Sequence, residues 1–379
     1  MGFHILVLAG GSGTRLWPLS RAGTPKHLLP LGPAGVSLLR ATLERVQGLG
    51  DSVHVVTAAA QADRCREELV AAGMPGDAVI AEPVARGTGP ALGLAVAWLA
   101  REDPGALVAS VHADHRIGDP AAYRAAVVAA AGWAAGTGDL ATVGLTPLKP
   151  ATGLGYIALG AMRDAALWKR PGGAPEQALV EAQGLPAYRS AGFREKPPAE
   201  VAEEYVAGGN HLWNLGLFAW RAPVFRELLR AAAPGVAATV DAVVEKRAQG
   251  DEAGATAAYA SLDGVAIEPL VLERGAPLTV VRASFSWSDL GSWSDLHAAR
   301  VESGEVDTAG NVVQGDATAV GAADCTVISR GGRLVTVVGA TGLVVVDTPD
   351  ALLVVPEERA QDVKLVVERL RSAGRDGVL

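Results

Sequence analysis

Over the first 145 residues, short apolar runs rich in Val, Leu and Ile alternate with stretches of helical spacing. The runs Phe3 to Ala9, Ser52 to Thr57, Ala78 to Ala81, Ala106 to His112 and Leu140 to Leu145 read as strands. Between them Val36, Leu39, Leu43 and Val46 recur at helical intervals, a second amphipathic segment closes at Glu67, Glu68, Leu69 and Val70, and Gly89 to Ala100 reads as a third helix. Strands alternating with helices predict an α/β fold with a Rossmann-like, mostly parallel sheet covered by helices. Such sheets bind ligands at the C-terminal ends of their strands, so the loops after Leu8, Ala81 and Val111 are the places to look for chemistry.

From about residue 150 to 300 the pattern is mixed. Short strands are predicted at Tyr156 to Leu159, Tyr188 to Phe193, Leu215 to Trp220 and Leu278 to Ala283, separated by helices, which suggests an insertion walling a cleft. Arg170 to Pro175 reads as a loop and the acidic, Gly-containing stretch Glu302 to Gly310 as a linker. Beyond it, apolar runs at Asn311 to Val313, Thr326 to Ile328, Leu334 to Val338, Leu343 to Val346 and Leu352 to Val355 are cut by Gly and Asp turns. An amphipathic helix from Glu358 to about Leu370 follows. The expected organisation is a domain over residues 1–302 and a small β-rich domain over 311–379.

Composition narrows the function. At 379 residues and 49% hydrophobic the chain can bury a sizeable core, which excludes a disordered solvating polymer. Its net charge of −8 argues against nucleic-acid or anionic-membrane partners, although a local cluster of cations and backbone N–H groups can still bind a phosphorylated small molecule. Cys65 and Cys325 lie far apart without metal-ligand spacing, which suits a reducing cytosol. No signal peptide is evident at the N-terminus, and Ala125 to Ala135 is too short to span a bilayer, where about 20 apolar residues are needed.

The strongest chemical signal directly follows the first strand: Leu8-Ala9-Gly10-Gly11-Ser12-Gly13-Thr14-Arg15-Leu16-Trp17-Pro18, then Pro25-Lys26-His27. Glycines at a strand end let backbone N–H groups approach phosphate oxygens, and Arg15 and Lys26 add charge where a polyphosphate would lie. The string is neither a P-loop, which needs GxxxxGK[ST], nor a dinucleotide fingerprint running straight into a helix.

This loop, with Leu19-Ser20-Arg21, resembles the signature of sugar nucleotidyltransferases, and its Trp17 and Ser20-Arg21 variant is similar to mannose-1-phosphate guanylyltransferases. Further similarity lies in Glu82-Pro83, Arg86 to Ala91, Asp114-His115, Thr152 to Ile157, Glu195-Lys196-Pro197, Trp213-Asn214 and Trp287 to Trp293. In the tail, Asn311, Asp347 to Asp350 and Gln361-Asp362-Val363 resemble the family's short form, which lacks a fused isomerase domain, and the tail is expected to be left-handed β-helix-like.

The resemblance implies transfer of GMP from GTP to mannose 1-phosphate, giving GDP-mannose and pyrophosphate. It implies catalytic Arg15, Lys26 and Lys196, and nucleotide binding by Leu8, Ala9, Gly10, Gly11, Gly13, Thr14, Arg86 and Thr88. The sugar is expected on Gly155, Glu195 and Asn214, and Mg²⁺ on Asp114 and Asp289. These roles are chemically coherent. Magnesium accepts one or two carboxylates while keeping its waters. Glycine permits close backbone approach, and a buried Asn amide needs partners that a sugar can supply. A homodimer and a cytoplasmic location are further expectations.

Blander readings stand beside these. Asp114 or Asp289 could cap a helix, Thr88 could be an N-cap, and Glu195-Lys196 could be a surface ion pair. His112 and His115 lack further ligands for zinc, and Ser12 and His27 lack a third partner for a triad. Trp213, Trp220, Trp287 and Trp293 are expected in core and wall packing more than in sugar stacking.

The chain also departs from the family pattern. His27 replaces glutamine, Gly87 and Gly89 replace Asn and Ala, Ala113 replaces serine, Leu215 replaces a small residue, and Ser-Ile-Asp-Tyr becomes Ala266-Ile267-Glu268-Pro269. Other functional readings are a nucleotidyltransferase for another hexose 1-phosphate or base, a non-catalytic nucleotide-sugar-binding regulator, and a nicotinamide oxidoreductase.

Overall fold

The computed structural model describes residues 1–11 and 13–379; Ser12 lies outside the described residues. By its internal contacts the chain divides into two compact units. The first comprises Met1–Gly10, Thr42–Ala113 and Asp119–Ser286, and the second Gly11–Ala41, Asp114–Gly118 and Trp287–Leu379. The signature loop therefore shares a unit with the C-terminal tail.

The first unit is built on β1 (Phe3–Ala9), β2 (Ser52–Ala58), β3 (Val79–Glu82) and β4 (Leu107–His112), which pair in parallel in the order β3-β2-β1-β4. The two-residue β5 (Arg116–Ile117) belongs to the second unit. The sheet continues through β6 (Leu140–Leu145), β7 (Gly155–Met162), β8 (Ala187–Arg194), β9 (His211–Arg221) and β10 (Leu278–Ala283). Its full order is β3-β2-β1-β4-β9-β6-β10-β8-β7. The strands of the expected insertion at about 150–300, β7 to β10, enter the same sheet. β9 runs antiparallel to both β4 and β6, making the sheet mixed rather than mostly parallel.

Alternation sorts the strand residues by face. Leu6 and Leu8 of β1 and Val108 of β4 share a core with the helix Thr88–Glu102 and with Phe225, Leu229 and Val240. The helix Pro120–Thr137 packs against β4, β6, β9 and β10, and its central turns are buried all round, which explains the unbroken Ala and Val run from Ala125 to Ala131. No helix among the described residues is long and apolar enough to cross a membrane.

In the second unit β5 pairs antiparallel with β11 (Trp287–Ser288). The tail strands are β12 (Val312–Gln314), β13 (Ala317–Val320), β14 (Thr326–Ser329), β15 (Val335–Val338), β16 (Leu343–Asp347) and β17 (Leu352–Pro356). β12, β14 and β16 stack in parallel, as do β13 and β15, so the chain coils through successive rungs, while β17 returns antiparallel. The predicted terminal helix is a 3₁₀ segment, Glu357–Asp362, leading into the α-helix Val363–Ser372. Its Val363 and Val367 pack with Leu16 and Trp17 of the signature loop and with Trp293.

Candidate active site

Ile5, Leu6 and Val7 are buried along β1, and the strand ends where Leu8 and Ala9 give way to glycine. Gly11 (φ 83°) and Gly13 (φ 60°) adopt left-handed backbone conformations that a side chain resists. Gly13 is required twice over, because a Cβ there would stand 2.4 Å from Lys26 Cβ. Beside Gly10 and Gly11, in contrast, nothing lies within 4 Å of a Cβ position, so these glycines leave open space where a ligand can reach the backbone. Ser20 Oγ donates to the Gly13 carbonyl at 2.7 Å and fastens the loop, and Thr14-Arg15-Leu16 form a 3₁₀ turn that leaves Arg15 exposed.

Lys26 is 7% exposed. Its ammonium lies 2.6 Å from Asp114 Oδ2 and donates to the Asp289 carbonyl oxygen at 2.5 Å, so one cation joins the two expected metal ligands. Backbone register explains how residues so distant in sequence converge. Trp287 pairs with Ile117 and Ser288 with Arg116, which places the residue after β11 alongside the turn before β5. Trp287 Nε1 donates to His115 Nδ1 at 3.1 Å across the same ladder. Neither aspartate caps a helix: Asp119 caps Pro120–Thr137, and Ser292 caps Trp293–Glu302.

Burial holds the Asp289 carboxyl above the ordinary carboxylate range. The carboxylates of Asp295 and Asp114 push the same way, and the Lys26 ammonium opposes them. A buried carboxylate among others, still short of positive charge, is a hard-oxygen donor set, and it fits a divalent cation.

The residues expected to hold the sugar lie in the first unit, where the sheet brings them together. Asn214 on β9 pairs with Gly155 on β7 and with Gly144 on β6. A bulge between β6 and β9, with Gly216 at φ 68°, lets the Gly216 N–H donate to Asn214 Oδ1 at 3.2 Å. A backbone group thus satisfies the amide oxygen, while among the described residues none accepts from Nδ2. Gly155 earns its place by proximity, since a Cβ there would lie 2.6 Å from Glu195 Oε2. Glu195 Oε1 accepts from Lys196 Nζ at 2.8 Å, and Lys196 holds φ 45° just before Pro197. A positive φ at a lysine is a strained conformation that the surrounding structure must enforce. Burial raises the Glu268 carboxyl, with Glu195 and Lys196 close enough to act on it.

The segment Arg86 to Gly89 differs from expectation. Thr88 is the first helical residue rather than the cap, which is Gly87, and Thr88 Oγ1 accepts from the Ile267 N–H at 2.9 Å. The Arg86 guanidinium donates to the Ala260 carbonyl, and its backbone N–H donates to Glu82, a buried carboxylate that also accepts from Tyr259 OH. The glycine departures have a steric cause. A Cβ at Gly87 would meet the Val265 carbonyl oxygen at 2.6 Å, and one at Gly89 would meet Leu270 at 2.8 Å. Leu215 and His27 are buried, as are Trp220 and Trp293, which places these positions in packing.

Sequence reasoning missed Lys364 and Glu368 of the terminal helix, which line a cavity with Arg15, Lys26 and Asp289. The only signal for them is the i, i+4 repeat of Val363 and Val367, which sets the neighbouring positions 364 and 368 along one edge of the buried stripe.

Comparison with known proteins agrees with this geometry. Residues 4–305 match the nucleotidyl transferase family, and 315–370 match a mannose-phosphate isomerase/GMP-like β-helix domain. Xanthan biosynthesis protein XanB of Xanthomonas campestris pv. campestris (strain B100) is 36% identical over 98% of this chain and 73% of its own length. Mannose-1-phosphate guanylyltransferase of Escherichia coli K12 is likewise 36% identical, over 98% of this chain and 74% of its own. A crystal structure described as a mannose-1-phosphate geranyltransferase from Thermus thermophilus superposes with a TM-score of 0.78 at 33% identity. It covers 98% of this chain and all of that one. Nucleotidyl transferases of this kind generally use a divalent metal and act on nucleotide and sugar-phosphate substrates. Signature loop, sheet, β-helical tail and relatives thus converge, and the chain belongs to the nucleotidyl transferase family and, within it, to the mannose-1-phosphate guanylyltransferases.

Proposed function

We propose that this chain transfers GMP from GTP to α-D-mannose 1-phosphate, giving GDP-mannose and pyrophosphate. The observation that carries the reading is Lys26 held between Asp114 and the Asp289 carbonyl beside the open glycine loop, an arrangement suited to neutralising phosphate charge. A phosphate oxygen of the sugar phosphate attacks the α-phosphorus. The bond from that phosphorus to the bridging oxygen of the β-phosphate breaks, and pyrophosphate carries the electron pair away. The attacking oxygen is already anionic, so no general base is required.

The roles follow from charge and position. The backbone of Leu8, Ala9, Gly10, Gly11, Gly13 and Thr14 receives the nucleotide phosphates, and Arg15 and Lys26 offset the charge that develops on leaving. Arg86 and Thr88 order the base-proximal turn through Ala260 and Ile267. Gly155, Glu195 and Asn214 take the sugar hydroxyls, and Lys196 takes its phosphate. Asp114 and Asp289 would hold magnesium, which when bound supplies positive charge to phosphate oxygens. A homodimer and a cytosolic setting belong to the same proposal.

The test is pyrophosphate release with magnesium over GTP, ATP, UTP and dTTP against mannose, glucose and N-acetylglucosamine 1-phosphates. Release confined to GTP with mannose 1-phosphate supports the reading. Release from another pair replaces the substrates and keeps the chemistry, and no release from folded protein that binds GDP-mannose overturns catalysis in favour of a regulatory role.

A further inference from the structure

The signature loop is fastened to the tail at several points within the second unit. Trp17 Nε1 donates to the Val378 carbonyl at 2.7 Å, and Trp293 Nε1 donates to the Trp17 carbonyl at 3.1 Å. Arg21 pairs with Asp350 at 2.7 Å and donates to Thr348 Oγ1 at 3.3 Å. The terminal helix lies against the 3₁₀ turn that carries Arg15, with Val363 and Val367 buried in the core that includes Leu16 and Trp17. Side chains one position on from a buried i, i+4 pair emerge together on its flank. Those side chains are Lys364 and Glu368, and they line a cavity of about 390 Å³ with Thr14, Arg15, Lys26 and Asp289.

We infer that Lys364 is a further substrate-binding cation, which engages the β- and γ-phosphates of the nucleotide and hence the departing pyrophosphate. Three observations carry this. Lys364 opens on the same cavity as the glycine loop and Arg15, not on a remote face of the helix. Among the described residues no ion pair engages its ammonium, and Glu368, one turn on, stands in the Lys-before-Glu order that favours pairing least. Lys26 faces this cavity with part of its charge already offset by Asp114, so Arg15 and Lys364 supply the further positive charge that the cavity presents to a polyphosphate. A flexible ammonium on an exposed helix suits a leaving group whose charge rises during the reaction and which must then depart. The β-helical tail thereby contributes a side chain to the reaction as well as a scaffold for the loop.

The inference rests on the proposed nucleotidyl transfer, and its test separates the two. Lys364→Met keeps the stem and removes the charge, and Lys364→Arg restores the charge. Steady-state constants are measured for the nucleotide, for the sugar phosphate and, in the reverse direction, for pyrophosphate, using whichever substrate pair the unmodified enzyme turns over. Lys364→Met is expected to raise KM for nucleotide and pyrophosphate about tenfold, to leave KM for the sugar phosphate within about twofold, and to be rescued by Lys364→Arg. If the unmodified protein turns over no pair, the proposed function fails, and calorimetric titration with magnesium pyrophosphate still decides the role of Lys364 through the same tenfold difference. An unchanged pyrophosphate constant in Lys364→Met overturns the inference. So does an equal change for all three substrates that arginine does not rescue, since that marks a structural role.

Discussion

In the sheet-bearing unit, the groups proposed to take the sugar stand on regular ladders: Gly155 and Asn214 are paired residues of β7 and β9, and Glu195 follows directly on β8. In the other unit, Arg15, Lys26, Asp114 and Asp289 all stand on turns; the β5–β11 pairing sets the two aspartates, and a tail from the far end of the chain fastens the loop that carries Arg15. The difference follows from the ligands each is suited to. A sugar presents neutral hydroxyls in a rigid ring, so strand register supplies enough precision. A polyphosphate needs several backbone N–H groups and cations aimed at one volume, which a strand cannot offer and a glycine loop can, provided something else holds the loop still.

The largest expected effect tests whether chemistry resides in the loop-and-tail unit. Asp289→Asn removes a buried carboxylate that is costly to keep charged, so folding should be unharmed or slightly favoured while turnover falls. Loss of one such charge-organising group typically costs on the order of 3 kcal/mol, or roughly a hundredfold in kcat. Affinity for mannose 1-phosphate, assigned to the other unit, should hold. Near-normal turnover at saturating magnesium would sink the ligand role of Asp289, and lost sugar-phosphate binding would blur the division between the units.

The two units also differ in how far the sequence discloses them. β1, β6 and β10 match their predicted limits residue for residue, because each is a mostly buried, mostly apolar run with polar or turn residues beyond its ends. β9 outruns its prediction at the N-terminal end, since His211 and Asn214 interrupt the apolar signal while the ladder continues through them. The signature loop is legible as chemistry but not as structure: its bond from Trp17 to Val378 joins residues 361 apart, and no local pattern encodes such a contact. Positive φ at Lys196 and at Leu290, next to Asp289, is likewise invisible, because these residue types do not announce that conformation and only surrounding packing enforces it. The glycines at 87 and 89, which in the sequence are bare departures from the family pattern, accommodate Val265 and Leu270.

That accommodation gives the next test, confined to the sheet-bearing unit. Gly87→Ala places a Cβ against the Val265 carbonyl oxygen at a residue with φ 79°, and backbone on backbone has no flexible end to yield. Strain and displacement together should cost about 2–3 kcal/mol. Hydrogen exchange should accelerate around residues 86–91 and 259–270 while the helix Val363–Ser372 keeps its protection. Uniform loss of protection in both units would show that they unfold together.

A titration sharpens the same division. Burial, and then the neighbouring His4, hold His54 down to about 4, where its ring meets Ser52 Oγ at 2.8 Å and the edge of Trp98. In the unfolded chain it takes a proton near pH 6.5, so the stability from its neutral form is complete above pH 6.5 and is lost as pH falls toward 4. By pH 5 linkage puts the loss at about 2 kcal/mol. The acid-induced drop in stability between about pH 7.5 and 5 should shrink in His54→Gln, and protection should fail first at β2. An identical pH slope in the variant would remove His54 from the account.

The smallest effect probes the fastening itself. Trp17→Phe keeps an aromatic ring in the core but deletes the donor to the Val378 carbonyl, leaving that acceptor to water, so the cost in stability should be about 1 kcal/mol. If the tail merely sits beside the loop, turnover will be unaffected. If the tail positions Arg15 and presents Lys364, the loosened terminal helix should raise KM for GTP and pyrophosphate by about threefold, with KM for mannose 1-phosphate unchanged. The ratio of the two effects is the informative quantity, because a change in nucleotide binding out of proportion to a small loss of stability can arise only where the end of the chain serves the reaction.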